Sequence, residues 1–258
     1  MPLRPQATVF GVPVQAVSMT EMLGMIDEWI VNGARQFICT VDVHALMESQ
    51  ADDEIRRVYG SAGAVVTADG MPIVWLLRRH GCPTAERICG PDLMPALFRR
   101  SETRPYRHFL YGASKDTLAQ LRHQLAYDFP RAPIVGAYSP PFRPLSPAED
   151  AQIVELVNAA DPDIVWVGLG APKQDRWMAA HRSALRAPVL IGVGAAFDML
   201  AGTVRRAPVI FQRTGCEWMF RIAQEPRRLF KRYLKSNSQF AFRLLGELLH
   251  PSKPPSHA

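Results

Sequence analysis

RHFLYGASKDTLAQLRHQLAYDFP, residues 107–130, decides the fold. An apolar run from His108 to Tyr111 stops at Gly112. A polar stretch follows in which Leu118, Leu121 and Leu125 recur at helical spacing. The segment reads as a strand, a glycine turn and a helix. The same unit repeats downstream. SPAEDAQIVELVNAA opens with a capping Ser146, Pro147 in the first turn and acids near its start, as a helix N-terminus does. DPDIVWVGLG and APVLIGVG read as continuous apolar strands, with helical APKQDRWMAAHRSAL and AAFDMLAG after them. Upstream, QFICTVD and GAVVTAD are two further strands, TEMLGMIDEWIVNG and HALMESQADDEIRRVYG supply helices, and ATVFGVPVQAVS reads as an edge hairpin. Strands that are apolar throughout and alternate with helices predict a parallel sheet covered on both faces. The expected class is therefore α/β, a Rossmann-like sheet with helices on both faces.

The alternation stops near residue 207. The stretch GCEWMFRIAQEPRRLFKRYLKSNSQFAFRLLGELL mixes arginines with aromatics at helical spacing. The organisation read from this is a body over 1–207, a basic helical appendage over 208–250 and a disordered tail over 251–258. Of the 30 Lys and Arg, eleven lie beyond residue 202 with only three Glu, so this end carries +8 of the net +6 and the first 202 residues carry −2. Such asymmetry points the appendage at an anionic partner. Cys39, Cys82, Cys89 and Cys216 lack metal-ligand spacing and read as reduced thiols of a cytoplasmic protein. MPLRPQATVFGVPV lacks the basic and apolar regions of a secretory signal, and no window has the ~20 apolar residues of a spanning helix.

Ligands of open parallel sheets bind beyond the carboxyl ends of the strands. The strand ends here carry Thr40 and Asp42, Asp69 and Gly70, Gly112 and Ser114, Gly168 to Gln174, and Gly192 to Asp198. In GAVVTADGMPIVWLL, residues 63–77, Asp69 stands between an apolar strand and a helix that begins near Pro72. Two roles are open to it: capping that helix, or facing a pocket. GLGAPK lacks the third glycine of the dinucleotide fingerprint and by itself is a strand-to-helix turn with a solvated Lys173. Asp161 and Asp163 form a DPD that resembles a metal motif but lie before their strand, where a turn is the simpler reading. Arg87 reads locally as a partner for a surface acid, and His44 and His108 read as structural.

Six segments occur in order: ADGMPIVW, RICGPDL, FLYGAS, VGLGAPKQDRWM, GVGAAFDMLAGTVRRAP and EWMFRIAQEPRRLFKRY. Together they resemble the WecG/TagA/CpsF family of bacterial glycosyltransferases, glycosyltransferase family 26, over residues 8 to 235. The resemblance implies an inverting transfer from a UDP-sugar to a polyprenyl-diphosphate-linked sugar in cell-surface polysaccharide synthesis. The expected place is the cytoplasmic face of the membrane, held peripherally by a basic C-terminal appendage, with no metal or other cofactor. By position, Asp69 matches the proposed general base, and Arg87 an arginine that stabilises diphosphate. Thr40, Asp42, Gly112, Gly168, Gly170, Gln174, Gly194, Phe197 and Asp198 fall at donor-pocket positions. Arg205 and Arg206 fall in the family's RAP motif. Arg221, Arg228, Lys231 and Arg232 fall in the appendage. The first three recur at spacings of seven and three, as if lining one helical face toward the acceptor diphosphate. Phe220, Phe230, Phe240 and Phe242 are expected at the lipid interface. Family members often carry Asn where this chain has Asp42, which leaves the donor open between N-acetylmannosamine and a glucose-type hexose.

Two other classes compete. A dinucleotide-binding oxidoreductase would use the GLG loop, but no acid ~20 residues on ends a second strand to hold a ribose. A non-catalytic basic nucleic-acid binder would use the appendage but leaves the strand-end residues without a role. The expected partners are thus a UDP-sugar, a polyprenyl-diphosphate-linked glycan and an anionic membrane surface, with no nucleic acid. Homo-oligomerisation stays open.

Overall fold

The computed structural model describes residues 5–249; the expected tail over 251–258 lies outside them. The chain opens with β1 (Gln6–Val9) and β2 (Val12–Gln15), an antiparallel hairpin turned at Phe10 and Gly11. Then come α1 (Met19–Val31), β3 (Gln36–Val41), α2 (Val43–Ala51), α3 (Asp53–Tyr59) and β4 (Ala64–Ala68). Next are α4 (Met71–Arg79), α5 (Gly90–Ser101), β5 (His108–Gly112), α6 (Lys115–Asp128), β6 (Ile134–Tyr138) and α7 (Pro147–Ala159). The body ends with β7 (Ile164–Gly168), α8 (Lys173–His181), β8 (Val189–Gly192) and α9 (Ala196–Leu200). Three helices follow: α10 (Val209–Arg213), α11 (Glu217–Gln224) and α12 (Pro226–Leu249).

Local chemistry explains several boundaries. Ser18 with Glu21, and Ser146 with Glu149, form capping boxes at the starts of α1 and α7. The stretch HALMESQADDEIRRVYG is two helices because Asp52 is extended and caps α3 with its own carboxylate. Pro226 starts α12 after Glu225 breaks the helical path, so Arg221 and Arg228 lie on different helices. The single face inferred from their spacing does not exist.

The sheet has eight strands in the order β1-β2-β4-β3-β8-β7-β5-β6, parallel except for the hairpin. Its first four strands and last four strands meet at the β3–β8 pair. That is where a crevice opens in folds of this kind. Alternate residues of β7 enter opposite cores: Val165 and Val167 on one face, Ile164 and Trp166 on the other. His108 is buried in the second core, bonded to Ser101 and Trp166, and burial holds its imidazole down at about 3. It is a packing residue.

α12 lies along α2. His44 Nδ1 and Ser236 Oγ are 2.8 Å apart, and the Phe10 and Phe240 rings meet edge to face at 5.7 Å. Phe240 is therefore buried against the body at the border of the crevice, and Phe220 is half-buried beside Phe211. Phe230 and Phe242 remain exposed. No helix among the described residues is long and apolar enough to cross a membrane. All four cysteines are free thiols.

Candidate functional site

The crevice is a cavity of about 910 Å³. Its floor is the carboxyl ends of β3, β4, β7 and β8, and Pro140 to Phe142 after β6 form one rim. The opposite wall comes from α11 and α12, with Glu217, Trp218, Arg221, Arg228, Arg232 and Tyr233. Of the residues singled out from sequence, Thr40, Asp42, Asp69, Arg87, Gly168, Gly170, Gln174, Gly194, Asp198, Arg221, Arg228 and Arg232 all border this one space. Gly112, Phe197 and Lys231 do not.

The reasons differ. A side chain on Gly112 would come within 2.5 Å of the Gly168 carbonyl, and its φ of +126° suits glycine alone. Gly112 thus lets β5 and β7 close up beneath the cavity. The Phe197 ring is fully buried under Gly168, where an added Cβ would meet it at 2.6 Å. It supports the floor from below. Lys231 is exposed on α12, away from the cavity.

Asp69 follows the last residue of β4, its N–H bonded to the Val41 carbonyl at 2.9 Å. The N-cap of α4 is Gly70, and that helix has no side-chain cap. The capping role is thereby removed, and the carboxylate faces the cavity. Burial pushes it up to about 7; Asp42 and Glu217 add to the rise, and Arg87 and Arg221 oppose it.

Arg87 reaches Glu217 at 2.8 Å, Asp92 at 3.2 Å and Gln212 at 2.9 Å. Asp92 also accepts from the Cys89 thiol at 2.9 Å and pairs with Arg206 at 2.6 Å. This network ties the start of α5 to α10 and α11. Its Glu217–Arg87 link was not legible in sequence, since the partners are 130 positions apart.

Gln174 is buried, and its Oε1 accepts from the Gly170 and Gly194 N–H groups at 3.1 and 2.9 Å. It pins the two glycine loops together. Those two N–H groups are consumed and do not face a ligand. The Thr40 hydroxyl donates to the Gly192 carbonyl at 2.8 Å, and Asp198 accepts from Thr117 at 3.4 Å. Asp42 Oδ1 caps α2 through the Ala45 N–H at 2.8 Å. Asp161 and Asp163 sit at the far, amino edge of the sheet and engage Arg107.

Under the floor, Asp175 is fully buried. Tyr59 donates to its Oδ2 at 2.9 Å, and the Cys39 thiol lies against the same carboxyl. Burial pushes this carboxyl up to about 7 as well, against the pull of Tyr59. Nothing in APKQDRWM separates a buried Asp175 from a solvated first-turn acid.

Comparison with known proteins places the chain in a family. A 31% identical relative from Bacillus spizizenii aligns over 192 residues, 74% of this chain and 72% of its own length. A 27% identical relative from Staphylococcus aureus aligns over 238 residues, 92% of this chain and 91% of its own. Both carry the name N-acetylglucosaminyldiphosphoundecaprenol N-acetyl-beta-D-mannosaminyltransferase. The family model for the glycosyl transferase WecG/TagA/CpsF family matches residues 7–254, nearly the whole chain. With six ordered motifs, a two-halved parallel sheet and a cavity that gathers the motif residues, the chain belongs to the WecG/TagA/CpsF family of glycosyl transferases.

Proposed function

We propose that the protein transfers a hexose from a UDP-sugar to the sugar of a polyprenyl-diphosphate-linked glycan, with inversion at the anomeric carbon and Asp69 as general base. The observation that carries this reading is Asp69 itself: a carboxylate released from capping, facing the cavity, with a proton affinity near neutrality. A base so tuned takes up a proton without remaining blocked by it, and such help contributes ~10²–10⁴ in rate. The acceptor hydroxyl oxygen attacks the anomeric carbon on the face away from UDP. The carbon–oxygen bond to UDP breaks, UDP leaves with the electron pair, and the hydroxyl proton passes to Asp69. A single displacement inverts the centre.

The names of the relatives support a lipid-diphosphate sugar as acceptor and N-acetylmannosamine as the first donor to try, with a glucose-type hexose second. Diphosphate charge would be offset by guanidinium groups rather than a metal ion: Arg87 at the floor, and Arg221, Arg228 and Arg232 on the wall. Arg87 is held by Glu217, Asp92 and Gln212 in the free protein, so donor phosphates would compete with those acceptors. The acceptor's lipid tail would lie in the membrane, against which the basic appendage and its exposed apolar face rest from the cytoplasmic side. Basic residues near an anionic leaflet contribute ~1 kcal/mol each.

The test is Asp69→Asn in the full chain. Transfer from UDP-N-acetylmannosamine to a lipid-diphosphate acceptor should fall by ~10²–10⁴, while UDP still raises the thermal midpoint. Transfer at the wild-type rate, or stabilisation by NAD and not by UDP, would overturn the reading.

A further inference from the structure

Asp69 does not stand alone at its end of the sheet. Strands β3 and β4 are parallel and in register, with Thr40 opposite Thr67 and Val41 opposite Ala68. Continued one position past the ends of the two strands, that register sets Asp42 against Asp69. Neighbouring strands lie ~5 Å apart, and matched residues point to the same side. Both carboxylates border the cavity. Asp42 is the better anchored, because its Oδ1 accepts the Ala45 N–H and it stands at the N-terminus of the nine-residue α2. A helix N-terminus favours a negative charge. Two carboxylates that share a site disfavour joint ionisation, so the anchored one raises the proton affinity of the other.

We propose that Asp42 is a tuning residue of the transfer reaction: from the N-terminus of α2 it presents a fixed negative charge to Asp69 and makes Asp69 a stronger proton acceptor. The inference rests on the reading of Asp69 as the base. Other charged groups face the same spot. Glu217 on α11 acts in the same sense as Asp42, while Arg87 and Arg221 act against it. The Cys89 thiol lies beside the pair, and burial keeps it protonated. His44 on α2, Lys173 on α8, Asp198 on α9, and Arg228, Arg232 and Tyr233 on α12 complete the charged and titratable lining. Asp42 differs from the wall groups Glu217, Arg221, Arg228, Arg232 and Tyr233 in standing at a strand end and being held there by a cap.

The experiment is Asp42→Asn in the full-length protein. Asparagine keeps the size and the capping oxygen but removes the charge. Carboxyl ¹³C NMR of Asp69 without substrate, and the pH profile of kcat/KM with UDP-sugar and lipid-diphosphate acceptor, are read together. The midpoint of Asp69 and the acidic limb of the profile should both move down by about one pH unit, with a several-fold lower plateau. A midpoint and limb that stay in place overturn the inference. So does a rise in donor KM alone, which would make Asp42 a sugar contact. Failure of the underlying reading looks different: Asp69→Asn would then still transfer, and both ideas would fall together.

Discussion

The floor and the wall of the cavity are built by different physics. The floor is close-packed backbone. Gly112 against Gly168, Phe197 beneath Gly168, and Gln174 between two loops leave no freedom to shift. The wall is held by polar contacts and a few buried side chains: Arg87 to Glu217, His80 to Glu247 at 2.5 Å, His44 to Ser236, Phe10 on Phe240, and buried Leu229 and Tyr233. Its outer side keeps Phe230, Leu234 and Leu245 exposed. The lipid-linked acceptor proposed above would gain from this division. On that proposal the floor would fix the reacting groups, and the ion pairs of the wall would exchange for phosphate.

Gly168→Ala should break the contrast most visibly. The new Cβ has no room above Phe197, and overpacking of this kind costs ~1–3 kcal/mol. The thermal midpoint should drop by several degrees, and Phe197→Leu on the same background should restore part of the loss. A neutral Gly168→Ala would mean that the floor is as compliant as the wall.

A smaller effect comes from beneath the floor. Native Asp175 and Asp69 keep their protons up to about 7, whereas the unfolded carboxyls release them near the ordinary value of 3.8. Between these values the native state binds more protons than the unfolded one. These two carboxyls therefore make stability decline as pH rises from about 4 to 7, while buried His108 contributes in the opposite sense up to its unfolded value of 6.5. Thermal melts of Asp175→Asn should lose most of the wild-type decline over that window, because buried His108, held down at about 3 against 6.5 when unfolded, offsets the remaining contribution of Asp69. An unchanged slope would show that Asp175 ionises freely.

The wall should respond least in stability and most in adhesion. Phe230→Ser with Leu234→Ser removes neighbouring apolar side chains from the outer face of α12. Flotation with vesicles rich in anionic lipid should show roughly tenfold weaker binding at an unchanged melting point. Equal binding would place the membrane contact elsewhere.

Much of this was legible in the chain. Apolar runs closed by glycines announced β5, β7 and β8, and the leucines of α6 announced its buried face. Most motif residues did converge on one edge, as strand ends must in a parallel sheet. The misreadings share one cause. Phe197 and Lys231 belong to the right segments, but whether a side chain faces a cavity, a core or solvent depends on what packs over it. The spacing from Arg221 to Arg228 failed because Glu225 ends one helix and Pro226 begins another.

What the order of residues determined by itself is the alternation of strand and helix, and with it the edge where chemistry gathers. Periodicity and turn residues are local properties, and they act through neighbours a few positions away. Only the tertiary structure decided that Asp69 is released from capping, that Asp42 borders the same cavity, and that Glu217 holds Arg87 across 130 positions. Burial and charge act through space, and both depend on which distant segments the fold brings together.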